Sequence, residues 1–212
     1  MIVYGSSLSP FVRKVLAFAA EKGIDVESEP VAPPNVSDEF KAASPFGKIP
    51  AFSDGDFLLA DSSAIVHYLD ALKPDPELIP REAKARGRTI WFDEFADTIL
   101  IAAGARMFFN RIVAPRFLGI EGDLAAADKA EKEDLPPVLA YLEKVMPDSL
   151  HLVEDRLTLA DIAVASPFAN LRHMNVAVDP DRFPKVAAFA DKMLSRPSFG
   201  SWVQQETMML GA

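Results

Sequence analysis

Apolar residues change their spacing several times along this chain, and each change marks a new element. Met1 to Tyr4 is a short unbroken apolar run, which reads as a buried strand. Ser9-Pro10 then opens a helix with Val12, Val15, Leu16 and Ala19 as its apolar positions, closing near Gly23. Proline in a first turn and glycine past a last turn follow the usual asymmetry of helix ends. Asp25 to Val31 partly alternates and reads as a second strand. Pro33-Pro34-Asn35 is loop, and Ser37 to Ala43 is a short helix. Ala51-Phe52 and Phe57-Leu58 flank Asp54-Gly55, a hairpin turn signal. Ile65, Val66, Leu69 and Leu72 then keep a helical period after Asp61-Ser62. The order is βαβ, a loop and helix, then ββα. Its β-α-β start predicts a parallel strand pair with a right-handed crossover.

Pro74, Pro76 and Pro80 interrupt the pattern and mark a linker. Beyond them helix formers dominate. Arg81 to about Asn110 is one long helical pattern, broken by Leu118 to Gly122. Asp123 to Met146 is a second, with a kink or restart at Pro136-Pro137. Thr158 to about Leu171, Phe183 to Ser195 and Pro197 to Met209 are three more. Thr158-Leu159-Ala160-Asp161 has the form of a capping box. The pattern therefore predicts an α/β unit over residues 1–73, a linker over 74–82 and an all-helical unit over 83–212.

Composition narrows the function. Among 212 residues, 31 are acidic and 22 basic, a formal net charge of −9. That balance opposes nucleic acid and anionic membranes as general partners. Local basic pockets for a small anion remain open. There is no cysteine, which removes disulfides, thiolate metal sites and any enzyme-thiol redox centre. Arg13 and Lys14 interrupt the N-terminal apolar run, so it is not read as a signal peptide, and no run approaches the length of a membrane helix. A cytoplasmic protein is the expectation. His67, His151 and His173 show no metal-ligand spacing, and no metal is predicted.

The chemistry concentrates between Gly47 and Leu69. A proline at position 50 can start a strand but cannot sit inside a central one. If its bond is cis, Ile49 turns its backbone N–H and C=O outward, where an extended ligand can pair with them. Asp61-Ser62 opens the following helix, and a serine cap there leaves backbone N–H groups and the positive end of the helix dipole for a carboxylate. Each residue also has a plain reading: strand start, helix cap, solvated Lys48.

Ser9-Pro10-Phe11-Val12-Arg13-Lys14-Val15, Ser44-Pro45-Phe46-Gly47-Lys48-Ile49-Pro50, Leu59-Ala60-Asp61-Ser62-Ser63-Ala64-Ile65, Thr158-Leu159-Ala160-Asp161 and the Phe183-Pro184 and Ser195-Arg196-Pro197-Ser198 pairings follow one another in order. Together they resemble the cytosolic glutathione transferases of serine type. That resemblance implies a thioredoxin-like N-terminal domain, an all-helical C-terminal domain, a homodimer and a detoxifying transferase. Glutathione would be the co-substrate and a hydrophobic electrophile the second substrate. It assigns catalysis to Ser9, or to Ser6 if the run Ser6-Ser7-Leu8-Ser9 follows the zeta-class pattern. It places Lys48 at the glycyl carboxylate, Ile49 and Pro50 at the cysteinyl backbone, Ser62 at the γ-glutamyl carboxylate and Asp61 at its ammonium. Two departures stand out. Asp61 replaces the commoner glutamate, and Ala32-Pro33-Pro34-Asn35 lacks the basic side chain often found there, so weaker binding of the glycyl end is expected. Phe11, Arg106 and Phe108 are the candidates for the electrophile pocket; an aromatic and methionine stripe at helical spacing is more often a core signature. Asp93 and Asp97 read as solvated acids, with a reach across a dimer to the ligand's ammonium as the other option. Two further readings are a zeta-like isomerase of a maleyl-type diacid, drawing on Arg13, Arg106 and Arg111, and a non-catalytic binding protein of this fold.

Overall fold

The computed structural model describes residues 1–31 and 36–211; the predicted loop at Pro33-Pro34-Asn35 and the missing basic residue lie outside them. Four strands, β1 (Ile2–Tyr4), β2 (Glu27–Glu29), β3 (Ala51–Asp54) and β4 (Phe57–Ala60), form one sheet in the order β2-β1-β3-β4. β1 and β2 are parallel, and the other two pairings are antiparallel. The parallel pair is the predicted βαβ crossover, carried by α1 (Pro10–Lys22).

Alternation along β1 sends Val3 to one face and Ile2 and Tyr4 to the other. Val3 opposes Phe52, and both are fully buried beside α1 and α3 (Ser62–Leu72). Those helices pack on each other, and Val12, Val15, Leu16, Ile65, Val66 and Leu69 on them are buried. On the opposite face Tyr4 and Ala51 pack with Phe40 and Ala43 of α2 (Asp38–Ala43). Ser37 caps α2 by accepting from the Phe40 N–H at 3.2 Å. Gly23 ends α1 in the left-handed region at φ 61°, as its position in the sequence predicts.

The chain divides into two compact units: Met1–Pro80 with the chain from Arg196 onward, and Arg81–Ser195. The first unit thus includes α10 (Pro197–Met209), which packs along α1. Arg13 of α1 reaches Glu206 of α10 through two bonds of 3.0 and 2.7 Å, with both side chains fully buried.

The second unit is helical: α4 (Ala83–Glu94), α5 (Ile101–Phe108), α6 (Leu124–Lys129), α7 (Leu135–Val145), α8 (Leu159–His173) and α9 (Pro184–Leu194). The long helix predicted from Arg81 is continuous, but wider π-type turns occupy Phe95–Leu100 and Phe109–Leu118. In the second of these, Pro115 has no N–H to give an i−4 carbonyl, and the segment closes on Gly119 at φ 63°. At the predicted kink or restart the helix does not restart: it runs unbroken from Leu124 to Val145, with a wider π-type turn at Ala130–Asp134 just before Pro136-Pro137. α8 is buried from Leu159 to Leu171 and forms the centre of this unit. Its capping box is made: Thr158 N–H donates to Asp161 at 2.8 Å and Leu152 N–H at 2.7 Å.

Candidate active site

Strand register brings the predicted site together. Tyr4 pairs with Ala51, and Ala51 pairs with Ala60, so three chain segments leave the sheet at the same end. They are Gly5–Ser9, Ile49–Pro50 and Asp61–Ser62. The N-termini of α1 and α3 therefore open at that end of unit one.

Gly5 joins the first two segments. It has φ 137°, and a Cβ there would lie 2.7 Å from Val12 Cγ2 and 3.0 Å from Ile49 Cβ. Only glycine allows this approach. In the turn that follows, the Ser9 N–H donates to the Ser6 carbonyl at 3.0 Å, and the Leu8 N–H donates to the Ser6 hydroxyl at 3.3 Å. Ser9 occupies the cap position of α1 with extended backbone, but its hydroxyl makes no capping hydrogen bond. Ser6 and Ser9 are both half-buried. The two candidate serines thus differ: the Ser6 hydroxyl holds its own turn, and the Ser9 hydroxyl does not hold its own helix.

The Ile49–Pro50 peptide is cis. Pro50 is buried and Ile49 half-buried, and the Ser44 hydroxyl donates to the Lys48 carbonyl at 2.6 Å. The Lys48 side chain is exposed. Tyr68 of α3 braces the hairpin beyond: it stacks on Phe57 and donates to Asp54 at 2.8 Å, and the bond to that carboxylate raises the phenol's pKa.

At α3 the structure corrects the expected serine cap. The cap is Asp61, whose Oδ1 accepts from Ser63 N–H at 2.9 Å and Ala64 N–H at 3.1 Å. Asp61 sits at φ 80° and is exposed, while Ser62 is the buried first residue of the helix. A short acid thus curls back onto its own helix start.

Lys14 is a member of this neighbourhood that the sequence pattern passed over. It is 1% exposed, and its ammonium donates to the Ser63 hydroxyl at 3.1 Å. Nearly every residue of α1 from Val12 to Ala19 is buried, so even its charged positions face inward.

Phe11 lies on α1 of unit one and is half-buried; Arg106 and Phe108 lie on α5 of unit two. Arg106 pairs with Asp134 at 2.9 Å, and Arg111 pairs with Asp128 at 2.7 Å and Glu131 at 2.5 Å. Asp93, expected as a solvated acid, is 1% exposed, and Asp97 is half-buried.

Against known families, the glutathione S-transferase N-terminal domain matches residues 3–77 and the C-terminal domain matches residues 120–206. A glutathione S-transferase of Hyoscyamus muticus is 30% identical over 210 residues, covering 96% of this chain and 98% of the relative. The chain belongs to the glutathione S-transferase family. The fold agrees: glutathione S-transferase I bound to lactoylglutathione superposes with a TM-score of 0.85 at 27% identity, over 96% of this chain and 98% of that one. The family also shades into differently named proteins. A stringent starvation protein A homolog of Coxiella burnetii is 26% identical over 94% of this chain and 89% of its own length. Within the glutathione S-transferase frame, the strand register, the two helix N-termini and Ser9 occupy one end of the N-terminal domain's sheet.

Proposed function

We propose that this protein is a glutathione transferase in which Ser9 stabilises the glutathione thiolate for attack on a hydrophobic electrophile. The observation that carries this reading is the register, which delivers Ser9, Ile49 and Asp61-Ser62 to one end of the sheet. A free thiol with a pKa near 8.5 is only about 3% ionised at pH 7. The Ser9 hydroxyl, unspent on its own helix cap, has a proton to donate to sulfur, and the α1 N-terminus adds positive potential. Lowering the thiol's pKa by about two units makes most of it reactive at neutral pH. Ile49 pairs by backbone with the cysteinyl part, Ser62 and the α3 start take the γ-glutamyl carboxylate, and Asp61 takes its ammonium. Lys48 reaches the glycyl carboxylate. Phe11 contributes to the electrophile's surroundings from unit one.

The test is titration of the bound thiol by its ultraviolet absorbance in wild type, Ser9→Ala and Ser6→Ala. The expected result is a bound pKa well below 8.5 that Ser9→Ala restores toward that value, with kcat/KM falling about 10²-fold. If wild type matches free glutathione, the transferase reading fails. If only Ser6→Ala loses the shift, the catalytic serine is Ser6.

The diacid isomerase reading draws on Arg13, Arg106 and Arg111, and each of these is engaged in an ion pair. The non-catalytic reading predicts glutathione binding without a lowered thiol pKa. We also infer a cytoplasmic homodimer. Phe46 is 90% exposed, and unit two carries a hollow of about 240 Å³ lined by Trp91, Phe95, Ile99, Pro137, Val138 and Tyr141. Apolar surface of this kind is what a second copy would cover.

A further inference from the structure

We propose that Lys14 is a positioning residue for the γ-glutamyl end, the positive counterpart of Asp61 at the start of α3. The proposal rests on the reading that glutathione binds there. The start of α3 carries an internal conflict. Its second and third N–H groups are consumed by Asp61 Oδ1, which brings a negative charge to the place where an anionic ligand group is to sit. The dipole alone is a fractional charge, and a full carboxylate against it removes much of its pull on a second anion. Asp61 therefore makes the site suitable for an ammonium and less suitable for a carboxylate.

Lys14 reverses that on one side. Its ammonium approaches α3 from α1, is buried, and contacts the Ser63 hydroxyl, the residue next to Ser62. A buried cation is screened less by water than a surface one, so its field is felt at neighbouring positions. Its bond also fixes the Ser63 hydroxyl with the oxygen as acceptor, which orients that hydroxyl's own proton away from the lysine. The result is a pair of opposite charges at the first turn of one helix, exposed Asp61 and buried Lys14, each bonded to Ser63. This arrangement fits the zwitterionic head of an α-amino acid, whose carboxylate and ammonium are held one carbon apart. It discriminates against a peptide end that carries only one of the two charges.

Three ligands separate the contributions: glutathione, its 4-aminobutyryl analogue lacking the α-carboxylate, and its glutaryl analogue lacking the amine. Binding of each is measured calorimetrically to wild type, Lys14→Met, Lys14→Arg, Ser63→Ala and Asp61→Asn. Lys14→Met is expected to weaken glutathione and the glutaryl analogue about tenfold and to leave the aminobutyryl analogue within twofold. Lys14→Arg is expected to recover most of the loss, because the charge persists. Asp61→Asn is expected to show the opposite ligand pattern. Ser63→Ala, which keeps the charge and removes only the hydroxyl, is expected to cost about threefold for the carboxylate-bearing ligands; it carries the test if Lys14→Met does not fold. Equal losses for all three ligands, or no loss, overturn the role of Lys14. Wild type that binds none of the three overturns the glutathione reading itself.

Discussion

One methylene separates aspartate from glutamate, and at position 61 it decides what the carboxylate touches. Asp61 is short enough to cap its own helix, and losing such a cap costs about 1 kcal/mol. Asp61→Glu is therefore expected to lower the melting temperature by about 2–4 °C, read by calorimetry. The longer acid is also expected to bind the aminobutyryl analogue at least as tightly as aspartate does. Gly5→Ala is expected to be more severe, because its Cβ meets Val12 and Ile49 and its φ is positive. A loss of about 2–4 kcal/mol in denaturant unfolding, with weakened ligand binding, is the expected outcome. The identity of Asp61 and Ser62 was legible in the chain, but which of two adjacent capping residues takes the seat depends on φ, which sequence does not display. Arg13 and Lys14 were legible only as charges interrupting an apolar run. Their burial follows from the packing of α3, α10 and the sheet around α1, a tertiary fact.

Elements tell the same story with different partners. α1 turns three cations inward: Arg13 to Glu206, Lys14 to Ser63, and Lys22 to Asp70 and to the Pro74 and Pro76 carbonyls at 3.0 and 2.6 Å. Removing one partner of a buried ion pair leaves an uncompensated charge, so Arg13→Met is expected to cost about 3–5 kcal/mol. Arg13→Met with Glu206→Leu is expected to regain most of it, a double-mutant cycle read by urea unfolding. Glu21, also on α1, binds Arg196 through two bonds of 2.8 Å and accepts from Ser198 at 2.5 Å. Burial pushes its pKa up, but those hydrogen bonds and the Arg196 charge outweigh burial and hold it below the ordinary glutamate range. A carboxyl lowered on folding contributes stability above its unfolded pKa of about 4.3, and that contribution is lost as pH falls through the lower folded value. Glu21→Gln should therefore flatten the acid limb of a stability–pH curve while costing stability at neutral pH. The βαβ start, the hairpin and the capped helices were legible because each has a local signature. The π-type turns of the long helix were not, since neither alters the apolar spacing and only the second carries a local mark, Pro115.

At the scale of the whole molecule, the outer charge is negative while several cations are internal, so net charge describes the surface and not the core. The predicted homodimer is tested by sedimentation: wild type is expected to run as a dimer and Phe46→Asp as a monomer, since an exposed aromatic at 90% accessibility costs nothing to remove from a lone copy. An unchanged monomeric wild type would overturn it. The α/β-then-helical order was legible from the switch of period at the proline-rich linker. The return of the chain to its first unit at Arg196 was not, because Glu206 pairs with Arg13 across 193 positions of sequence.

That return sets an order on biosynthesis. Domains fold as they emerge from the ribosome, N-terminal first. Here the strand and helix made first contain a guanidinium whose carboxylate is made only after the whole of Arg81–Ser195 has been translated. Nascent chains halted before Glu206 should therefore carry a protease-sensitive first unit beside a resistant second one, and the sensitivity should vanish once α10 clears the exit tunnel.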